Sequence, residues 1–226
     1  MSAVPQADPG STGPQGRAGS PHIVRLQDAT AQPWRNGGGV TRELLTWSAP
    51  EGLVHDGAAR HGRDASAAGW DLRVSVADIA QDGPFSAFPG ISRCFAVLEG
   101  AGVVLSLRGQ DQVLDPASEA LAFDGAEAPG CRLVSGPTRD LNLMVRRTAA
   151  AGELQRAHLE PGQAIRLSPA AVAVVVLRGE ALTEGHRVHE FDALVVERPG
   201  APVALVAATP TDLAIATVYC RTTAAL

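Results

Sequence analysis

Four short stretches of this chain combine residue types that can hold a small polar molecule. The first is 33–43, where Trp34, Asn36, Gly37, Gly38, Gly39, Thr41, Arg42 and Glu43 lie within eleven positions. Three adjacent glycines let a backbone turn sharply and bring its N–H groups onto an anion, or else form a hairpin or bulge that re-aims a strand. A phosphate-binding P-loop is excluded, because no Lys follows the glycines and β-prone residues come next. Along a strand, Thr41 and Glu43 point one way and Arg42 the other, so either face carries a polar group that needs a partner.

The second stretch, 71–77, alternates Leu72, Val74 and Val76 with Arg73, Ser75 and Ala77. Its polar face is either solvated or, turned into a barrel, supplies a fixed cation and a hydroxyl suited to a carboxylate or carbonyl. The third, 82–93, sets Phe85 and Phe88 between prolines with Ser86 and Arg93 nearby, as a core plug or as a pocket wall. In the fourth, 140–147, Asp140, Asn142 and Met144 share a face, and a mid-strand Asn calls for a hydrogen-bond partner.

Other chemistries find less support. A metal-binding β-barrel needs converging His and carboxylate side chains. Here His186 and His189 are three apart and would face opposite sides of a strand, His55 and His61 lie in an irregular loop, His22 adjoins a tail, and His158 sits in a polar connection. Neither a Gly-x-Ser-x-Gly elbow nor a Cys beside a His suggests covalent catalysis. No metal and no cofactor are expected.

The elements that must position these groups read as strands throughout. From Ile23 onward, short runs of Val, Leu and Ile alternate with Gly, Pro, Asp and Asn, without helical periodicity. Candidate strands are 23–26, 41–47, 71–77, 93–99, 102–107, 120–123, 131–134, 141–145, 164–167, 172–177, 193–197, 203–207 and 213–219. An internal repeat is visible: 96–100 matches 175–179, 119–123 matches 192–196, and 140–145 matches 212–217, at offsets of 79, 73 and 72. The expectation is an all-β chain of two tandem cupin-like jelly-roll barrels, a bicupin. A disordered tail would cover 1–21, a first module 22–150 with a mobile loop at 50–69, and a second module 151–226.

The chain has 226 residues, a net charge of -5 and 45% hydrophobic residues, with all 19 basic side chains arginine. That balance gives no attraction to nucleic acid and no basic stripe. The longest apolar run, 170–177, is too short to span a bilayer, and the tail lacks the apolar segment of a secretory signal. Three scattered cysteines without a CxxC pair suggest neither disulfides nor a thiolate metal site. A cytoplasmic protein with no nucleic-acid or membrane partner is expected.

Taken together, 33–43, 73–77, 83–90 and 140–147 resemble the HutD/Ves family. The likeness runs from about Ile23 to the C-terminus and is strongest in the first half. Family members often carry Lys where Arg35 stands and an aromatic where Leu72 stands. The resemblance implies a bicupin fold, a homodimer, and an association with bacterial histidine utilisation by binding a small formylated or carboxylated metabolite; the Ves branch is linked instead to stress responses. On this reading Arg73 and Arg93 supply charge-assisted donors, and Ser75, Ser86, Thr41 and Asn36 orient the ligand. Trp34, Phe85 and Phe88 exclude water, and Asn142 lines the pocket. Two alternatives stand beside it. One is a metal-free isomerase or hydrolase with Glu43 as general base, weakened by an adjacent arginine. The other is a structural ion-pair network of 41–43 with Asp140.

Overall fold

The computed structural model describes residues 21–47, 69–196 and 203–220. Most of the expected tail at 1–21 and of the expected loop at 50–69 lies outside the described residues. The first strands are β1 (His22–Val24), β2 (Ala31–Pro33), β3 (Gly39–Trp47), β4 (Leu72–Ile79), β5 (Gly83–Pro84) and β6 (Ile91–Glu99). Next come β7 (Val103–Leu107), β8 (Gln110–Leu114), β9 (Leu121–Asp124), β10 (Gly130–Leu133) and β11 (Thr138–Arg146). The second half contains β12 (Ala150–Leu159), β13 (Ala164–Arg166), β14 (Ala171–Arg178), β15 (Ala181–Thr183), β16 (His186–Val188), β17 (Ala193–Val195), β18 (Ala204–Ala207) and β19 (Thr211–Cys220). No helix among the described residues is long and apolar enough to cross a membrane.

These strands form four open antiparallel sheets. One large sheet has the order β2-β3-β4-β11-β6-β9 and the other β1-β17-β14-β19-β12; the small sheets are β5-β10-β7-β8 and β13-β18-β15-β16. The core of each large sheet is the same arrangement eight strands apart: β4-β11-β6-β9 against β12-β19-β14-β17, and the two small sheets correspond strand for strand. The internal repeat is therefore real at the level of topology. It is crossed by the N-terminus: β1 pairs with β17 of the second repeat, while β2 and β3 extend the first.

Three apolar clusters follow from period-two alternation. Leu72, Val74, Val76, Leu141 and Leu143 on one large sheet meet Leu154, Val175, Val195 and Ala214 on the other. The opposite face of the first large sheet packs Phe95 and Val97 against Val103, Leu105 and Cys131 of its small sheet. The second repeat does likewise with Val174, Val176, Leu194, Leu205 and Leu213. The third sequence match is one residue out of register, because Leu141 lies in the cluster between the large sheets whereas Leu213 lies inside the second repeat.

Strand β12 departs most from the sequence reading, which treated the segment around His158 as a polar connection. Glu153, Gln155, Arg156 and His158 dilute its apolar signal, yet all ten residues pair with β19. The shorter strands β2, β5, β8, β15 and β16 were also not anticipated; β2 and all but the last residue of β8 are exposed. Gly152 lets β12 approach the first sheet: a Cβ there would come within 2.7 Å of Val145 Cγ2 and 3.0 Å of Leu143 Cδ2. Gly152→Val is therefore expected to destabilise the protein by about 1–3 kcal/mol in urea denaturation. Gly130→Ala, where a Cβ would meet only Ser106 Cβ at 3.8 Å, should change stability by less than about 0.5 kcal/mol. Equal stabilities for both variants would mean that the two large sheets do not pack through Gly152.

Candidate functional site

Directly opposed residues of antiparallel strands share a face, so the strand register identifies which side chains converge. Across β3, β4, β11 and β6 one row reads Glu43, Ser75, Asn142 and Phe95. The next reads Thr41, Ala77, Asp140 and Val97. On the other side lies a row of Arg73, Met144, Arg93 and, on β9, Phe123. Phe95 and Val97 belong to the cluster packed on the small sheet, so this polar face looks into the first repeat. Two register shifts flank it, between Glu43 and Leu45 and between Arg139 and Asp140. Bulges of this kind re-aim side chains beside functional sites.

Arg93 is the centre of the group. It is 6% exposed, its Nη2 donates to Asn142 Oδ1 at 2.6 Å, and the Asn142 amide nitrogen in turn donates to Asp140 Oδ1. The guanidinium carbon lies 4.9 Å from the Phe85 ring centroid, 5.1 Å from that of Phe123 and 6.0 Å from that of Phe88. Its Nε is buried without a hydrogen-bond partner. Burial pushes the Arg93 guanidinium down to about 10, with Asp140 opposing that shift and Arg73 adding to it, so it stays charged at neutral pH. Burial also holds the Asp140 carboxyl well above the usual carboxylate range, against the pull of Arg93 and helped by Asp78. Arg73 Nε lies 3.1 Å from Glu43 Oε2, an ion pair without hydrogen-bond geometry, since the same nitrogen has no hydrogen-bond partner. The Glu43 side chain is 35% exposed, which makes the Glu43–Arg73 side the open end.

The net charge of this interior follows. Arg73 offsets Glu43, burial opposes ionisation of Asp140, and Arg93 keeps its charge and an unused donor, Nε. A buried cation without a counter-ion is costly. The arrangement therefore suits an anion or a strongly polarised carbonyl oxygen.

The remaining anticipated residues divide. Ser75 is buried on the same face. Trp34 Nε1 donates to Thr41 Oγ1 at 2.8 Å and its ring stands edge-on to Phe85 at 6.3 Å, so Trp34, Thr41 and Phe85 wall one end. Phe88 is half-buried near the guanidinium. The glycine run is a hairpin turn and not an anion nest: Gly37 N–H donates to Trp34 O and Gly38 N–H to Asn36 Oδ1. A Cβ on Gly39 would lie 2.5 Å from Asp78 O and 3.1 Å from the Trp34 ring, which explains the glycine there. Asn36, exposed, serves this turn. Arg42 points to the opposite face, where its Nη1 donates to Asp78 Oδ2 at 2.6 Å. Ser86 is exposed. Asp140 and Phe123 were missed as site residues; parity with Asn142 could have found the first, whereas Phe123 needs knowledge of the β6–β9 pairing.

The second repeat lacks this equipment. Asp140 opposes Val97 and Asn142 opposes Phe95. At the offset of 79 these become Val176 and Val174, which oppose Leu213 and Ile215. Both lie in the apolar cluster of the second repeat. Among the described residues, no group of three or more His, Cys, Asp or Glu side chains is placed to hold a metal ion.

The HutD family model matches residues 26–215. The chain belongs to the HutD family. An uncharacterized 21.2 kDa protein in the hutC 3' region of Pseudomonas putida is 39% identical over 122 residues, 54% of this chain and 56% of that protein. Protein Ves of Citrobacter koseri is 32% identical over 115 residues, 50% of this chain and 52% of that protein. The chain thus spans about half the length of the curated relatives it matches. HutD from Pseudomonas fluorescens SBW25, solved in a formate condition, superposes with a TM-score of 0.69 at 27% identity, over 90% of this chain and all of that one. Beyond the family, the bacterial pirin YhhW from Escherichia coli, in complex with nickel(II), superposes with a TM-score of 0.60 at 12% identity, over 88% of this chain and 99% of that one. That likeness concerns the cupin-like β fold alone.

The HutD-family interior predicts a pH effect. Asp140 retains in the folded state a proton that the unfolded chain releases above its ordinary value near 3.8. The folded protein therefore loses stability as pH rises from that value through the raised one. Asp140→Asn, which keeps the shape without the charge, is expected to gain stability relative to the native protein as pH rises from about 4 towards neutrality. Urea denaturation across that range tests this; a pH-independent difference would show that burial does not shift the carboxyl.

Proposed function

We propose that this HutD-family chain is a cytoplasmic, homodimeric regulatory protein. Its two repeats form tandem cupin-like jelly-roll barrels, residues 22–150 and 151–226. The first binds a small metabolite bearing a carboxylate or formyl group and so modulates histidine utilisation. One observation carries the reading: the buried Arg93 guanidinium has an unsatisfied Nε, and Asp140 is linked to it through Asn142, with burial opposing its ionisation. A planar anion entering past Glu43 and Arg73 would take up that charge, while Phe85, Phe88 and Phe123 exclude water around it. The pathway assignment draws on the relative from the hutC 3' region.

A second reading is favoured by Asp140. Its carboxyl lies on the same face as Asn142 and burial favours its protonated form; a ligand carbonyl that displaced Asn142 from Arg93 would come within its reach for proton donation, which would suit a metal-free isomerase or hydrolase. Glu43, paired with Arg73, is less suited to act as the base.

Thermal-shift and calorimetric titrations with histidine, urocanate, formiminoglutamate, formylglutamate and formate test the proposal. One compound is expected to raise the melting temperature saturably. Arg73→Ala should weaken its binding by about 1.5–3 kcal/mol, the contribution of a charge-assisted hydrogen bond. Arg93→Lys, which keeps the charge and shortens the fork, should weaken it as well. Absence of any shift with all five compounds would sink the binding reading, and mass-spectrometric detection of product would move the assignment to the enzyme.

A further inference from the structure

The two large sheets face each other, with β12 stacked over β6 and β11 and β17 in contact with β3. On the β17 side both sheets are completed by added strands: β3 pairs with β4, and β1 pairs with β17. On the opposite side, β9 ends one sheet and β12 ends the other, and among the described residues neither carries a further strand. The repeat gives this difference meaning. β12 corresponds to β4, and β9 corresponds to β17, so each open edge has a counterpart in the other repeat that does take up a strand.

A trench runs between the open edges. Its main part has a volume of about 510 Å³, with Cys94, Ala120 and Ala122 on one side and the stretch from Gly152 to Arg156 on the other. It continues into a cleft of about 280 Å³ along the rest of β9 and the start of β12. Small side chains leave room above β6 and β9. The lining portion of β12 covers six residue steps, roughly 20 Å at about 3.3 Å per residue. That length matches an extended segment of about five to seven residues.

Charge decides which segment. Glu119 and Glu153 are exposed on the rim. The cation among the lining residues of the main part, Arg156, is held by carbonyls, its Nη2 donating to Val97 O at 2.6 Å and its Nε to Ser118 O at 3.1 Å; its charge offsets one of the two glutamates, so the lining stays net negative. A second copy of this chain would bring another acidic trench against the first, with like charges across the strand pair. We propose that the open side of the sandwich binds an extended basic peptide segment of a protein partner, added as a strand on the free edge of β12 as β3 is added on β4. Main-chain hydrogen bonds would give affinity, alternate small apolar side chains would sit on the Ala120–Ala122 floor, and the flanking basic side chains would meet Glu119 and Glu153.

The probe is a blocked hexapeptide of alternating lysine and valine, followed by fluorescence anisotropy on the full chain and by amide hydrogen exchange. Saturable binding is expected, with slowed exchange across 150–156. Two changes should each weaken binding at least about tenfold. One is the double variant Glu119→Arg, Glu153→Arg. The other is a peptide with prolines in place of the valines, which keeps the charge but loses the N–H donors. Ala122→Trp, at an exposed position, should block the floor and weaken binding without altering the melting temperature. Equal binding of the proline peptide would overturn the proposal. So would exchange protection confined to other segments, absence of binding at millimolar peptide, or sedimentation showing two copies already joined through β12.

Discussion

The architecture of the first repeat is constrained by one fact, a guanidinium enclosed between two β-sheets. Removing a charge from water costs several kcal/mol even after local relaxation, and the protein recovers only part of that cost. Asn142 accepts from Arg93 and passes the demand to Asp140, while three phenylalanine rings offer their faces. Had Asp140 been ionised, the interior would hold its own counter-ion. Its burial opposes that ionisation, which tilts the local charge towards positive. The same low dielectric that penalises Arg93 therefore also penalises the carboxylate that would offset it.

The duplicated fold separates stability from chemistry. In the second repeat the positions corresponding to Asp140 and Asn142 are Leu213 and Ile215, and its buried polar groups are Thr183, Asp192, Thr211 and Thr217. That half is a closed apolar core, against whose outer face the strands bearing the polar site are packed. The bulge at Arg139/Asp140 recurs at the equivalent Val176/Arg178 step of the second repeat and belongs to the shared fold, whereas the one between Glu43 and Leu45 lies on β3, the strand added to the site-bearing sheet. Irregularity there is tolerated because the opposite faces of β4 and β11 are fixed by Val74, Val76, Leu141 and Leu143.

Much of this was legible in the residues. Alternation in 71–77 and 140–145 fixed which side chains share a face, and the sheet places Arg73, Ser75, Asp140 and Asn142 accordingly. Which face turns inward was not legible, because a solvated and a lumenal polar row have the same spacing. The glycine run illustrates a second limit: a nest and a hairpin need the same backbone freedom, and only the hydrogen bonds from Gly37 and Gly38 distinguish them. Strand β12 was hidden for a different reason. Its burial comes from stacking on β6 and β11, a long-range contact that leaves little apolar periodicity in its own sequence. Arg42 was grouped with the site by proximity along the chain, although its parity already pointed it away.

The side that Arg42 faces links the site to the rest of the molecule. Desolvation disfavours ionisation of Asp78, but hydrogen bonds and charges from Arg139 and Arg42 outweigh it and hold the carboxyl below its ordinary value. Arg139 also pairs with Glu99 at 3.1 Å and lies 4.8 Å from the Phe191 ring of the second repeat. Asp78 is five residues from Arg73 on β4, and Arg139 immediately precedes Asp140 on β11, at the bulge. A ligand drawing Arg93 away from Asn142 would disturb the relay at Asp140, next to the residue that joins the repeats. Regulation requires that two states be told apart by something outside the pocket. For the proposed regulation, a short covalent route is the peptide bond between Arg139 and Asp140, where the polar face and the inter-repeat face of one strand meet.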